Sequence, residues 1–199
     1  MTMIKIDDTR EIIIFVADRL FSRFGFHKTS MDEIAKIARK AKGSIYYHFP
    51  SKEDLFREVV LKEISQLKNV LSLVLQNHII SSSDKLKEYV LTRMSVMELS
   101  LNYHETLKAD FFEHYKFVDD LRNEFDAWDR TNLKNIINQG ITDGEFSINI
   151  NIDILADVLI MILKGLEIPF FVQNRYKDYS THFNDMFVIL TRGLSKYFF

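Results

Sequence analysis

Residues 29–55, TSMDEIAKIARKAKGSIYYHFPSKEDL, constrain this chain more than any other stretch. Ser30 followed three residues later by Glu33 has the spacing of a capping box, which fixes a helix start. Ile34, Ala38, Ala41, Ile45 and Phe49 then recur at steps of three and four, so two short helices share one buried seam. Pro50 cannot continue the second helix, and Ser51 with Asp54 caps a third. The seam leaves Lys42, Ser44, Tyr46, Tyr47 and His48 on the open side. A helix-turn-helix of this kind offers its second helix to the DNA major groove, where hydroxyls, ammonium groups and rings reach phosphates and base edges.

Further residues extend the pattern on both sides: Thr9-Arg10, Ala17-x-x-Leu20-Phe21, Gly25-Phe26, Thr29-Ser30, Ile34-Ala35, Lys42-Gly43-Ser44-Ile45-Tyr46-Tyr47-His48-Phe49 and Ser51-Lys52-Glu53-x-Leu55. In order, spacing and residue type this run resembles the TetR/AcrR family of bacterial transcriptional regulators. The likeness is close over about the first 60 residues and is one of helical layout beyond them. It implies a DNA-binding surface drawn from Thr29, Ser30, Arg39, Lys40, Lys42, Gly43, Ser44, Tyr46, Tyr47, His48 and Lys52. One departure stands in the turn, where members commonly have Gly, a hydrophobic residue and Ser and this chain has Arg39-Lys40-Ala41. Arg in a left-handed turn position costs on the order of 1 kcal/mol. Ala41 supplies no cap, a loss of about 1 kcal/mol. Arg39 and Lys40 offset this through attraction to phosphates.

Composition narrows the rest. With 47% hydrophobic and 27% charged residues the 199-residue chain is an ordinary globular protein, and only 2 Pro and 6 Gly favour long helices. The absence of Cys excludes a disulfide framework and thiolate chemistry. Net charge is −2, but residues 1–60 carry 11 Lys/Arg against 9 Asp/Glu, and Lys36, Arg39, Lys40, Lys42 and Lys52 cluster at the proposed recognition helix. Such a cluster alone also reads as a solvated charged face. The N-terminus lacks the order of a signal peptide, and charges interrupt the apolar stretch from Ile148 to Val172. A cytoplasmic protein without membrane contact is expected.

The pattern predicts helices over about 8–24, 52–77, 84–102, 105–115, 118–140, 153–168 and 179–197, besides the two short ones. The first carries Ile13, Val16, Ala17, Leu20, Phe21 and Phe24 as its apolar stripe, with Gly25 ending it. The alternation Phe146-Ser-Ile-Asn-Ile-Asn-Ile is expected to be an extended connector, since no second strand exists to pair with it. The helix from Asp153 is apolar nearly all round and predicts burial on more than one side, with Pro169 kinking or ending it. The fold class is therefore all-α: a three-helix head with helix-turn-helix over 1–51, and a helical domain over 52–199 that the resemblance implies is the effector-binding and dimerisation domain.

Two such apolar helices at the end of a small domain need a partner surface or complete the domain's own core. A two-headed reader also needs two-fold symmetry to match a palindromic site. The family resemblance implies a homodimer through the last two helices, with Leu159, Ile162, Leu166, Phe183, Phe187 and Leu190 as candidates. Phe111, Phe112, Tyr115, Phe117, Phe125 and Trp128 form an aromatic group that packs a core or lines a pocket for a small apolar or amphipathic effector, and Met94, Met97 and Met161 do either. The resemblance implies an effector in that domain.

No nucleotide, cofactor or hydrolase string occurs. Asp110 and His114 lie four apart near His104 and Glu113, a spacing open to a metal that reads more simply as a polar surface helix. Together with the resemblance this implies a repressor of palindromic operators released by an effector of unknown identity, with no cofactor and no catalytic site. Its rivals are a helical partner-binding or architectural protein, and an all-α enzyme.

Overall fold

The computed structural model describes residues 9–108 and 117–194, and the described residues hold ten α-helices and no β-strand. In chain order they are α1 (Thr9–Phe24), α2 (Met31–Ala38), α3 (Lys42–His48), α4 (Lys52–Leu75), α5 (Ser82–Glu98), α6 (Leu101–Glu105), α7 (Phe117–Thr142), α8 (Ile152–Glu167), α9 (Tyr176–Ser180) and α10 (Phe183–Leu194).

The head forms because α1 buries Ile13, Ile14, Ala17 and Phe21 on one face, a stripe at helical spacing. Phe24, expected on that stripe, lies past it and is half exposed beneath Arg23. Gly25 ends α1 at φ 85°, and a Cβ there would also stand 3.3 Å from Glu105 of α6. Any other residue at 25 is therefore strained and pressed against the body.

α4, 24 residues and about 36 Å long, belongs to both parts. Its first turns bury Leu55, Phe56 and Val59 in the head, with the Phe56 ring 5.1 Å from Phe21 and 5.0 Å from Phe26. Its later turns carry Ile64, Leu67, Leu71 and Val74 into the body, where α4 packs on α5 and α7.

The predicted helix over 84–102 is instead two elements broken at Leu99 and Ser100. The break is set by Glu63 of α4, whose carboxylate accepts the N–H groups of Asn102 (3.1 Å) and Tyr103 (2.7 Å) in the first turn of α6. The Asn102 amide then donates to Asp18 of α1 at 2.6 Å, joining head, α4 and α6. Of the helix expected over 105–115, the part beyond Lys108 lies outside the described residues.

Inside the body Arg93 of α5, with no exposed surface, pairs with Asp129 of α7 (2.7 Å) and Glu167 of α8 (3.1 Å). Tyr89 donates to Asp129 at 2.6 Å and Tyr103 to Glu167 at 3.2 Å, while Arg122 approaches Glu167 at 3.4 Å. Burial opposes the charge on Arg93, and the two carboxylates hold it charged. Removing one member of such a cluster costs roughly 3–5 kcal/mol, because the remaining charges stay buried without a partner.

The connector after α7 carries no helix and no strand, and the turn that leads into it is tied down when Glu145 accepts the N–H groups of Ser82 and Ser83, both at 3.0 Å, at the start of α5. α8 departs from expectation. Only Ala156, Ile160, Leu163 and Glu167 are buried, and the opposite face is open. Pro169 does end it, in a π-helical turn over Ile168–Val172. The last predicted helix is split into α9 and α10, and positions 195–199 lie outside the described residues.

The junction yields a pH prediction. Burial pushes the Glu63 carboxyl up to about 7 from an ordinary 4.5, against the pull of its N–H donors. The fold thus favours the protonated form, so this group's contribution to stability is complete below pH about 4.5 and is lost as pH rises through about 7. A carboxyl carbon-13 titration of Glu63 should show a midpoint near 7. A midpoint at the ordinary value would show that the junction is hydrated.

Candidate DNA-reading head and an apolar cavity

The recognition face follows from the local chemistry of the turn. Ser30 and Glu33 form the full capping box of α2. Arg39 ends α2 at φ 53°, ψ 42°, the left-handed conformation that the turn demands, and its side chain is exposed. Ala41 precedes α3 without a side-chain cap bond and is exposed, so it is not part of the seam predicted for it. Ile34, Ala38, Ile45 and Phe49 do form that seam. Their burial fixes which way α3 faces: Tyr47 is 84% exposed, Tyr46 is 42% exposed, and Lys42 and Gly43 stand open beside them. A Cβ added at Gly43 would meet nothing within 4 Å, so the fold itself does not require glycine there. Ser44 and His48 are half-buried at the edges of this face, His48 edge-on to Tyr47.

Among the basic residues the structure separates clamps from free heads. Lys52 turns inward, its ammonium 4.2 Å from the Phe26 ring and donating to the carbonyls of Phe26 (3.0 Å) and Thr29 (3.2 Å); burial pushes its pKa down. Thr29 is buried, and its hydroxyl donates to the Gly25 carbonyl at 2.9 Å. Both residues, expected at the DNA surface, hold the loop before α2 in place by these inward bonds. Lys40 reaches the Thr9 hydroxyl at 3.2 Å, tying the turn to the start of α1. Lys42 pairs with Asp32 at 2.8 Å in open solvent, where a phosphate can displace the carboxylate; this bond raises its pKa.

The expected aromatic pocket is not assembled among the described residues. Phe111, Phe112 and Tyr115 lie outside them. Phe125 is fully buried beneath the Arg93 guanidinium, and Trp128 packs beside Phe125 with Lys68 over its ring, in the α4 and α7 seam. Met97 is buried in the core, and Met161 is 69% exposed on the outer side of α8.

A cavity of about 120 Å³ instead opens between α5, α8 and α10. Met94 lines it, and so do Leu159, Ile162, Leu166, Phe183 and Phe187, five of the residues assigned from sequence to the dimer contact. Phe183 is buried within the chain itself. The side chain of Leu190 lies outside the described set. A helix apolar all round has two faces to offer, and sequence could not say which faced inward. The outward stripe of α8 runs through Ile154, Val158, Met161, Gly165 and Ile168, at helical spacing and exposed.

Sequence reasoning also missed Arg93, Asp129 and Glu167. The signal was present, because each stands in the apolar period of its helix: Tyr89, Arg93, Met97; Phe125, Asp129, Leu133; Ile160, Leu163, Glu167. Among the described residues no group of three potential metal ligands comes together, and His104 stacks on Phe171 at 4.9 Å. Asp110, Glu113 and His114 lie outside that set.

A three-helix head with one solvent-facing recognition helix, continuous with a helical body, defines a helix-turn-helix transcriptional regulator. Residues 13–59, the DNA-reading head, match the family model described as bacterial regulatory proteins, tetR family. The chain is 24% identical over 193 residues to the transcriptional regulator QacR of Staphylococcus aureus, covering 94% of this chain and 98% of that one. A transcriptional regulator from Cytophaga hutchinsonii shares its structure with a TM-score of 0.75 at 26% identity, over 94% of this chain and 98% of the other. FadR from Bacillus subtilis, solved in complex with stearoyl-CoA, has the same fold, with a TM-score of 0.73 at 18% identity over 92% and 98% of the two chains.

The turn makes a direct prediction. Arg39→Gly relieves a left-handed side chain and should stabilise the protein by about 1 kcal/mol. It should at the same time weaken binding to non-specific duplex DNA and lower the salt slope by about 0.9, the share of one phosphate contact. Thermal melts and salt-dependent anisotropy measure both. An unchanged slope would place Arg39 away from the backbone.

Proposed function

We propose that the chain is a repressor that binds a palindromic operator as a homodimer and releases it when a small apolar or amphipathic ligand enters the helical body. The observation that carries the DNA reading is the one-sided burial of α3. Ile45 and Phe49 are sealed in the head while Lys42, Tyr46 and Tyr47 stand in solvent, a combination of charge and flat rings suited to phosphates and base edges. Arg39 and Lys40 flank it, Gly43 permits close approach of a backbone, and Ser30, Ser44 and His48 border the same face.

The dimer reading is supported by the outward stripe of α8 with Met186 and Ile189 of α10, exposed apolar side chains that a monomer would leave in water. Gly165, with open space before it, lets a second helix come close. Two copies related by a two-fold axis present two recognition helices to two half-sites. This replaces Leu159, Leu166, Phe183 and Phe187 as contacts, since they face the chain's own cavity.

The effector reading is supported by the cavity and by FadR, a neighbour of the same fold seen with stearoyl-CoA. The division of labour falls at the Ser51 cap of α4, with residues 1–51 reading DNA and 52–199 binding ligand and partner. No catalytic activity is proposed. No helix among the described residues is long and apolar enough to cross a membrane, and the cytoplasm, where the DNA is, is the proposed location.

One experiment addresses both halves. Tyr47→Ala and Lys42→Ala should each weaken specific operator binding by about ten-fold, a loss of about 1.4 kcal/mol, with Lys42→Ala also lowering the salt slope. Val158→Glu with Met161→Glu should give monomers by sedimentation and abolish tight operator binding with the head still folded. Full operator affinity in the α3 variants would put the wrong helix in the groove, and a monomeric wild type at micromolar concentration would contradict the dimer.

A further inference from the structure

The cavity between α5, α8 and α10 has a chemistry that selects its occupant. Val90 and Met94 come from α5, Leu159 and Ile162 from α8, and Phe183 and Met186 from α10. Every other lining side chain is apolar too, so the wall offers almost no hydrogen-bonding surface. The charged groups of the interior, Arg93, Asp129 and Glu167, have no exposed surface and are paired with one another; none reaches the cavity wall. An ionised or strongly polar ligand group would lose its water here without a partner, and is rejected for that reason.

Size and access narrow the choice further. At about 120 Å³ the space is of the order that elsewhere accepts benzene, a cavity of about 150 Å³ lined by Leu, Ile and Phe. Its lining is buried at Met94 and Phe183 but half exposed at Ile162 and Met186, which therefore stand at its mouth. These two residues also belong to the outward face of α8 and α10. A partner copy seated on that face covers the mouth.

We propose that this cavity is the site of a small uncharged hydrocarbon ligand, of about the size of benzene or a short branched alkane, and that its mouth at Ile162 and Met186 is closed by the second copy of the chain. Ligand binding and assembly are then linked, because more of the ligand is buried in the dimer than in the monomer. By reciprocity saturating ligand tightens the dimer by the square of the factor by which dimerisation tightens each of its two sites. This rests on the dimer and effector readings above and adds the ligand class, its seat and the coupling.

Benzene titrated into the full-length protein is the test, with benzoate and benzylammonium as charged probes of the same size. Benzene should raise the melting temperature saturably and lower the dimer dissociation constant in sedimentation at least three-fold, while the two charged probes do neither at equal concentration. Met94→Phe, and Leu91→Trp at the half-buried rim, fill the space and should each weaken benzene binding at least ten-fold; the second serves if the first disturbs folding. Equal binding of benzoate or benzylammonium, insensitivity to both filling variants, or a dimer constant that benzene leaves alone would overturn the proposal. Benzene binding with tightened assembly but unchanged operator affinity upholds the site and contradicts only the induction reading. Release of the operator by another compound, undiminished in both variants, upholds induction and contradicts this site.

Discussion

The structure depends on one helix serving two cores. The Phe56 ring of α4, about 5 Å from Phe21 and Phe26, is as much a part of the head as of α4 itself. Two turns further on, Ile64 and Leu67 are buried with the body. Close-packed interiors do not bend to absorb small shifts, so a displacement of α4 in the body is carried to the recognition helix. Glu63, between those two groups, gathers Asn102 and Tyr103 of α6 onto the same helix, and Asn102 reaches Asp18 of α1. Body and head are thereby fixed at two points rather than one.

The buried cluster around Arg93 orders the other end of the body. Its partners come from α7 and α8, and Tyr103 connects it to α6. A charge pair in the interior adds little net stability over an apolar replacement of the same shape, but its members tolerate few alternative partners. The cluster accordingly sets the register of α5, α7 and α8. The cavity lies beside this ordered wall, and a ligand there shifts the helices only as far as it prefers one arrangement over another.

The head was readable from sequence because its signals are local. Capping serines, a Pro stop and an apolar period of three and four residues fixed α2, α3 and the start of α4, and even the cost at Arg39 was visible as a residue ill-suited to its turn. What was not readable depended on distant partners. Lys52 and Thr29 looked like surface residues until Phe26 and the Gly25 carbonyl took their polar groups. The break after Glu98 has no Pro or Gly to announce it and comes from Glu63, far away in the chain. α8 is apolar all round, so its period could not distinguish the face that lines the cavity from the face in solvent. Leu159 and Leu163 prove to line the cavity, while Val158 and Met161 are left on the open face. Charged residues in core positions, as at Arg93 and Asp129, were the one overlooked signal.

Two copies of this chain are proposed to read DNA through α3 from a two-fold-related pair of heads. Selection of bound duplexes from a random library by the full-length protein, followed by sequencing, measures this whatever the operator's sequence. The expected result is an inverted repeat whose half-sites are separated by about one helical turn or a multiple of it, with enrichment lost in a Tyr47→Ala chain. Enrichment of a single asymmetric site, or none above non-specific binding at physiological salt, would contradict it.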